Sequence, residues 1–409
     1  MAEQKNKYKP PRVVVTGTGI ISSIGNNIPE TLLSLKSLKS GIGPISNLNT
    51  IHKDNIPAGE IKLSDDELVK LAGFNTSDYL TRTSSLGIIA AKEAFDSAGL
   101  DSKSSKGIRT GIVSATTAGG MDKTEKYYYD FLSNNKYSPY VYTYDCSDST
   151  EKIAELFGIT DLMSTISTAC SSSANAIMFA TRLIKNGIVD RVCAGGADAL
   201  SKFTLNGFNT LKILDNRTCQ PFDKNRKGLN IGEGAGYLIL ESEDIAIRNK
   251  SKILCEITGY ANTNDAYHQT ASSPNGFGAY LAMKQALSLN GILPDEINYI
   301  NAHGTGTHNN DLTEGIAIEK IFGNNMPKVS STKPFTGHTL AAAGAIEAIF
   351  SILAISNRMV FPNLNFEHKI DELSFAPEKN LIENIEVNHV LSNSFGFGGN
   401  NTSLILSKY

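Results

Sequence analysis

The chain is 409 residues long, with 41% hydrophobic residues, 19% charged residues and a formal net charge of −3. A domain takes roughly 150 residues, so this length allows two or three units or one large two-part core. The charge balance excludes a nucleic-acid binder that works by bulk positive charge, and the opening MAEQKNKYKPP lacks a signal peptide's apolar core, so a cytoplasmic protein is expected.

In chain order, RVVVTGTGI (Arg12–Ile20) predicts a strand running into a glycine turn. It fails as a dinucleotide fingerprint: Ser22 stands at the third glycine position, and KSLKSG follows where an acid is needed. SSLGIIAAKEAFDSAGL (Ser84–Leu100) has apolar residues at helical spacing, and RTGIVSA (Arg109–Ala115) and VDRVCAGGADA (Val189–Ala199) read as strands. The alternation implies α/β layers around a buried sheet. A long-period echo runs through it. The segment beginning at Ala90 matches that beginning at Ala282, each reading helix, glycine, polar loop, strand. Ser167–Gly187 matches Thr336–Asn357, and VDRV at Val189 matches VNHV at Val387. These pairs predict a duplicated α/β unit, residues 1–255 and 256–409, with the halves joined near Cys255–Gly259. A pseudo-dyad would bring Cys170 and His338 into one cleft. Ala341–Ile355, interrupted by Glu347, is too short for a bilayer and reads as a buried helix, so no membrane insertion is expected.

The five cysteines are Cys146, Cys170, Cys193, Cys219 and Cys255, at least 23 positions apart. Without a CxxC pair they read as reduced thiols. Cys170, in STISTACSSSANAI, sits where a strand ends and a helix begins. Unpaired N–H groups and the helix dipole would favour a thiolate there, and the small neighbours leave it reachable. His303 in NAHGTGT and His338 in KPFTGHT each stand beside glycine at an element's end. His308 follows His303 by five residues, off the spacing of zinc ligands, and no HExxH or GxSxG occurs. His268, in NDAYHQTASSPNG, reads as an entrance residue. Lys333 precedes His338 by five residues in a buried-looking setting, where an ammonium would orient a catalytic group. Glu347 lies in an apolar helix and needs a partner. NSFGFGGNN (Asn393–Asn401) lacks a phosphate loop's lysine, and a backbone N–H from it would suit an oxyanion hole.

TAC at Cys170, NAHGTGT at His303, STKPFTGH with Lys333 and His338, and NSFGFGGNN together resemble the β-ketoacyl-acyl carrier protein synthases of the thiolase fold. The resemblance is greatest to the synthase II type and covers nearly the whole chain. It implies an α/β, thiolase-like fold with two duplicated halves in a layered αβαβα arrangement. It implies decarboxylative condensation of a malonyl thioester with an acyl chain held on Cys170, elongating fatty acids without a cofactor. By the same resemblance, the amides of Cys170 and Phe397 hold the thioester oxyanion, with Phe397 as a gate. His303 and His338 bind the malonyl carbonyl, and Lys333 orients the histidine region. Thr305 and Thr307, with Thr270 and His268, bind the pantetheine arm. Asp311 and Glu314 match an acidic pair near the second histidine, and Glu347 matches a carboxylate at a structural cation. The expected partners are an acyl carrier protein, contacted through Lys212, Lys123 and Lys126, and a second subunit, normally a homodimer, with a heterodimer as the other arrangement.

The chain also departs from the synthase II pattern. Ser171–Ser173 follow the cysteine, VSATTAGGMDK (Val113–Lys123) is poorer in glycine, and a tyrosine cluster spans Tyr127–Tyr144. Interface packing is the first reading of that cluster and an aromatic-tolerant pocket the second. The departures keep a ketosynthase of an aryl-polyene or type II polyketide pathway as the alternative. A non-catalytic chain-length-factor partner usually lacks the nucleophile, which Cys170 supplies. A thiolase would need a second catalytic cysteine, and NSFGFGG has none.

Overall fold

The computed structural model describes residues 10–75, 78–100, 107–134 and 139–409. The first run of strands is β1 (Val13–Ser22), β2 (Thr110–Ala115), β3 (Leu162–Ile166), β4 (Arg191–Asp198) and β5 (Gly234–Ser242). The second is β6 (Cys255–Asn264), β7 (Tyr299–Asn301), β8 (Lys328–Ser330), the short ribbon β9 (Met359–Val360) and β10 (Ile382–Glu383), then β11 (His389–Gly396) and β12 (Asn400–Ser407). Ten of them form one sheet in the order β3-β2-β4-β5-β1-β6-β12-β11-β7-β8. Read outward from its centre, β1-β5-β4-β2-β3 is mirrored by β6-β12-β11-β7-β8. The directions match as well. β2 is parallel to both its neighbours, as is β7, whereas β5 and β12 are antiparallel to theirs.

Among the described residues, the strand pairing between the two five-stranded leaves is confined to Val14↔Glu256 and Val15↔Cys255. Two helices, Ser172–Lys185 and Ala343–Asn357, lie between the leaves. Their Ala174, Ile177, Ala345 and Ile349 share one core with Val113 and Leu238 of the first leaf and Val390 and Leu404 of the second. The outer faces are covered too. The helix Arg82–Ser97 packs Leu86 and Ile88 on Ile112 and Ile239, and Phe277–Leu289 and His308–Phe322 pack Met283 and Ile318 on Ile300 and Leu391. The result is five layers, α, β, α, β, α.

The sequence dictates this layering. Strands covered on both faces read as near-continuous apolar runs rather than alternating ones; β1, β4 and β5 are buried along their whole length, and the charges of Arg191 and Glu241 among them are paired with each other. The helix Ala343–Asn357 is apolar on nearly every side, with Glu347 and Ser351 buried among its apolar residues, and is therefore a core element. Its extended form, Leu340–Asn357, is long and apolar enough to cross a membrane, but it is 89% buried within the fold. The glycines of TGTGI have a packing role. A Cβ on Gly19 would lie 2.0 Å from the carbonyl oxygen of Ala90, so only glycine lets the helix Arg82–Ser97 settle onto β1.

Candidate active site

β3 ends at Ile166, and the chain turns sharply into the helix Ser172–Lys185. Ala169, inside the turn, has φ +53°, a left-handed conformation that costs a side-chain-bearing residue roughly 1–2 kcal/mol. Hydroxyls hold it there. Ser172 Oγ accepts from the Thr168 amide at 2.8 Å and donates to the Ala169 carbonyl at 2.5 Å. Ser171 Oγ lies 2.8 Å from the Thr168 carbonyl oxygen, and Ser173 Oγ accepts from the Ala345 amide of the other central helix at 2.9 Å. The serines after Cys170 thus build the elbow.

Cys170 is buried in the wall of a cavity of about 310 Å³. Burial pushes its thiol up to about 12, opposed by the Lys333 ammonium and by the Phe397 amide that donates to the sulfur. The helix dipole, worth roughly 0.3–1 kcal/mol, is under one pH unit at about 1.4 kcal/mol per unit. The expected resting thiolate is therefore corrected to a protonated thiol.

His303 follows β7 and His338 follows the single helical turn Lys333–Thr336. Both are nearly fully buried and line the same cavity as Cys170. Their rings meet edge to face with centroids 5.3 Å apart. Lys333 Nζ lies 3.3 Å from His303 Nδ1. An ammonium has no lone pair, so it donates, and the neutral ring carries its own proton on Nε2. Burial, and then the Lys333 charge, hold both histidines well below their ordinary value. They are neutral N–H donors.

Glu347 accepts a hydrogen bond from Lys333. That ion pair answers the carboxylate with an ammonium, and among the described residues no group of three His, Cys, Asp or Glu residues is placed to hold a metal. Asp311 and Glu314 serve the first histidine, not the second. Glu314 accepts from the amides of His303 and Gly304, both at 2.8 Å. Asp311 accepts from Thr305 at 3.0 Å and from Gly306. Three positions apart on one helix face, the two carboxylates cradle the whole NAHGTGT turn. His338 is pinned elsewhere, its amide donating to the Asn230 carbonyl at 2.7 Å.

Thr305, Thr307 and Thr270 line the cavity, and the hydroxyls of Thr305 and Thr307 are 2.9 Å apart. His268 is not among the lining residues. It is exposed, and its Nδ1 accepts from the Thr270 amide at 3.1 Å. Lys212 is exposed at the mouth. Lys126 is exposed farther away, 5.4 Å over the Tyr127 ring. Lys123 is corrected as a surface contact: it is 5% exposed and paired with Asp65 at 2.5 Å, so its charge is unavailable to a partner. Of the tyrosine cluster, residues 135–138 lie outside the described residues, while Tyr127, Tyr128, Tyr140 and Tyr144 join Phe131 around a second cavity of about 380 Å³.

Some lining residues carried no sequence signal. Phe208, from the helix Lys202–Thr210, stacks on Phe397 at 5.8 Å, and Lys227 and Asn309 complete the mouth. They come from separate segments, and no local pattern marks them.

A thiol on a strained elbow, two neutral histidines and a five-layer duplicated fold define a thiolase-type condensing acyltransferase. The chain belongs to the β-ketoacyl synthase family. That family's N-terminal domain profile matches residues 11–246 and its C-terminal domain profile residues 254–367. The chain is 34% identical to 3-oxoacyl-[acyl-carrier-protein] synthase 2 of Synechocystis sp. and 33% identical to that of Coxiella burnetii, each over 97% of this chain and 98% of the relative. Among solved structures, the ishigamide ketosynthase/chain length factor matches with a TM-score of 0.90 at 32% identity, over 98% of this chain and all of that one. A ketosynthase (ApeO) in complex with its chain length factor (ApeC) from Xenorhabdus doucetiae matches at 0.85 and 30% identity over the full length of both.

Proposed function

We propose that this β-ketoacyl synthase loads an acyl chain from an acyl carrier protein onto Cys170 and extends it with a malonyl unit. The observation that carries the reading is the meeting of Cys170, His303 and His338 in one cavity. In the loading step the Cys170 sulfur attacks the acyl thioester carbonyl. A neutral imidazole takes the thiol proton and passes it to the departing carrier thiolate. The amides of Cys170 and Phe397 receive the oxyanion. In the extension step His303 Nε2–H and His338 hold the malonyl thioester oxygen. The carboxylate leaves as CO₂, its bonding electrons form the enolate, and the enolate carbon attacks the acyl-Cys170 carbonyl and expels the thiolate. A neutral N–H stabilises an enolate without protonating its carbon, which is why low histidine basicity suits the chemistry.

Thr305, Thr307 and Thr270 line the path of the pantetheine arm, and Lys212 is placed to meet an acidic carrier. The same reading divides the molecule at residues 1–255, supplying the nucleophile, and 256–409, supplying both histidines. The mirrored strand order supports that division. A cytoplasmic dimer is the working form. Fatty acid elongation is the first reading, supported by the synthase 2 relatives. One observation favours a second: the aromatic walls of the Tyr127–Tyr140 cavity suit an aryl or polyene chain.

The test is intact mass after incubation with carrier proteins bearing saturated, polyene or aryl chains, with Cys170→Ala as control. Saturated adducts that vanish in the variant support fatty acid elongation. Adducts of polyene or aryl chains alone move the enzyme to the specialised pathway. No adduct from any carrier refutes the nucleophile assignment.

A further inference from the structure

The gate segment Phe397–Gly399 is anchored at both ends to the nucleophile elbow. At the leading end the anchor is steric. A Cβ on Gly396 would lie 2.8 Å from the Thr168 carbonyl oxygen and 3.2 Å from the Cys170 amide nitrogen, so the strand presses bare backbone onto the turn. At the trailing end it is polar. Asn400 Oδ1 lies 2.7 Å from Ser171 Oγ, 3.0 Å from Asn175 Nδ2 and 2.7 Å from Asn262 Nδ2. A ring then closes behind it: Asn262 donates to Thr402 Oγ1 at 2.8 Å, and Thr402 donates to Asn175 Oδ1 at 2.7 Å. Asn175 also donates to Thr168 Oγ1 at 2.8 Å, on the elbow itself. Ser171 and Asn175 belong to the nucleophile's helix, and Asn262, Asn400 and Thr402 to strands of the opposite leaf. Between the anchors, Gly398 and Gly399 adopt φ +81° and +78°, so the gate is a glycine-built turn held between two fixed points.

We infer that Asn400 is a positioning residue: by tying the gate's trailing end to Ser171 and Asn175, it sets the Phe397 amide beside Cys170 and so completes the oxyanion hole. This rests on the roles given to Cys170 and Phe397 above. Asn400 touches no substrate. It acts through the amide three positions earlier and assists only steps in which charge develops at Cys170 or on its thioester. Decarboxylation of the malonyl unit, carried by the two histidines, does not depend on it.

Three measurements on Asn400→Ala test this. Iodoacetamide alkylation is followed at Cys170 by peptide mass, with Cys146 as internal reference. Acyl transfer from the carrier is followed as kcat and KM. Malonyl decarboxylation is followed as CO₂ release. A hydrogen bond to a charged acceptor is worth more than a neutral one, so Cys170 alkylation at fixed pH should fall about tenfold. The kcat for acylation should fall at least as far with KM unchanged, while Cys146 alkylation and CO₂ release stay within twofold. Wild-type Cys170 alkylation and acylation rates in a folded variant would overturn the inference, as would decarboxylation falling in step with acylation. If Asn400→Ala does not fold, the same ratios are read on Asn400→Ser. Wild-type loading of Cys170 reports separately on the nucleophile assignment.

Discussion

The Lys333 ammonium decides what His303 is. It occupies Nδ1, leaves the ring proton on Nε2 and, after burial, lowers the ring's basicity, while Glu347 accepts a hydrogen bond from the lysine. Lys333→Ala leaves Glu347 as a buried unpaired carboxylate, a change that costs about 3–5 kcal/mol, and frees the His303 tautomer. Malonyl decarboxylation in that variant should fall on the order of 10²-fold and the melting temperature should drop. The pH profile carries the same signature. A histidine held well below its ordinary value stays neutral as pH falls through 6.5. Decarboxylation by the wild-type enzyme should therefore stay level from pH 8 to 6, and an acidic limb centred near 6.5 would contradict the neutral-donor role. The histidines were readable as residues because glycines flank them; their neutrality was not, since it comes from Lys333 and from burial by elements far apart in the chain.

At the scale of elements, the elbow and the NAHGTGT turn are both bent backbones held by short polar side chains. Ala169 has room for a left-handed φ but not for branching: Ala169→Gly should leave loading intact and add up to about 1 kcal/mol of stability, whereas Ala169→Val should abolish the Cys170 adduct. Glu314 shows the opposite electrostatics from the histidines. Burial raises its carboxyl to about 7, opposed by the Gly304 and His303 amides. The folded state then binds the proton more tightly than the unfolded chain, so Glu314's contribution to stability is full below about 4.3 and is lost as pH rises through 7. Glutamine mimics the protonated carboxyl, so melting curves of wild type and Glu314→Gln should lie closest near pH 4 and separate by pH 8, with wild type melting lower. Serine and acidic positions were visible in the sequence beside the reactive residues, but the acid pair looked as though it served His338. Its true partner follows from which loop the His308–Phe322 helix faces, and that is a matter of packing.

At the scale of the molecule, catalysis requires the two leaves to close over the central helices. Gly344 is where those helices touch. A Cβ there would lie 2.7 Å from the Ala174 amide nitrogen and 2.9 Å from Ser394 Oγ. Gly344→Val should force the helices apart, costing about 1–3 kcal/mol by overpacking. Both the Cys170 adduct and carbon–carbon bond formation should then be lost, even though no site residue has changed. A folded variant that condenses at the wild-type rate would show that the closure tolerates more slack than this contact implies.

The duplicated pattern, the glycine-flanked histidines, the cysteine at a helix start and the apolar central helix were all present in the linear sequence. Each depends on local periodicity or on steric demands of neighbouring residues, and these survive in one dimension. The protonation state of Cys170, the pairing of Lys333 with Glu347, the burial of Lys123 and the convergence of Phe208, Lys227 and Asn400 on the cavity and its gate were decided only by tertiary structure. Electrostatic environment depends on distances between groups brought together from separate segments of the chain, and no spacing along the chain encodes those distances.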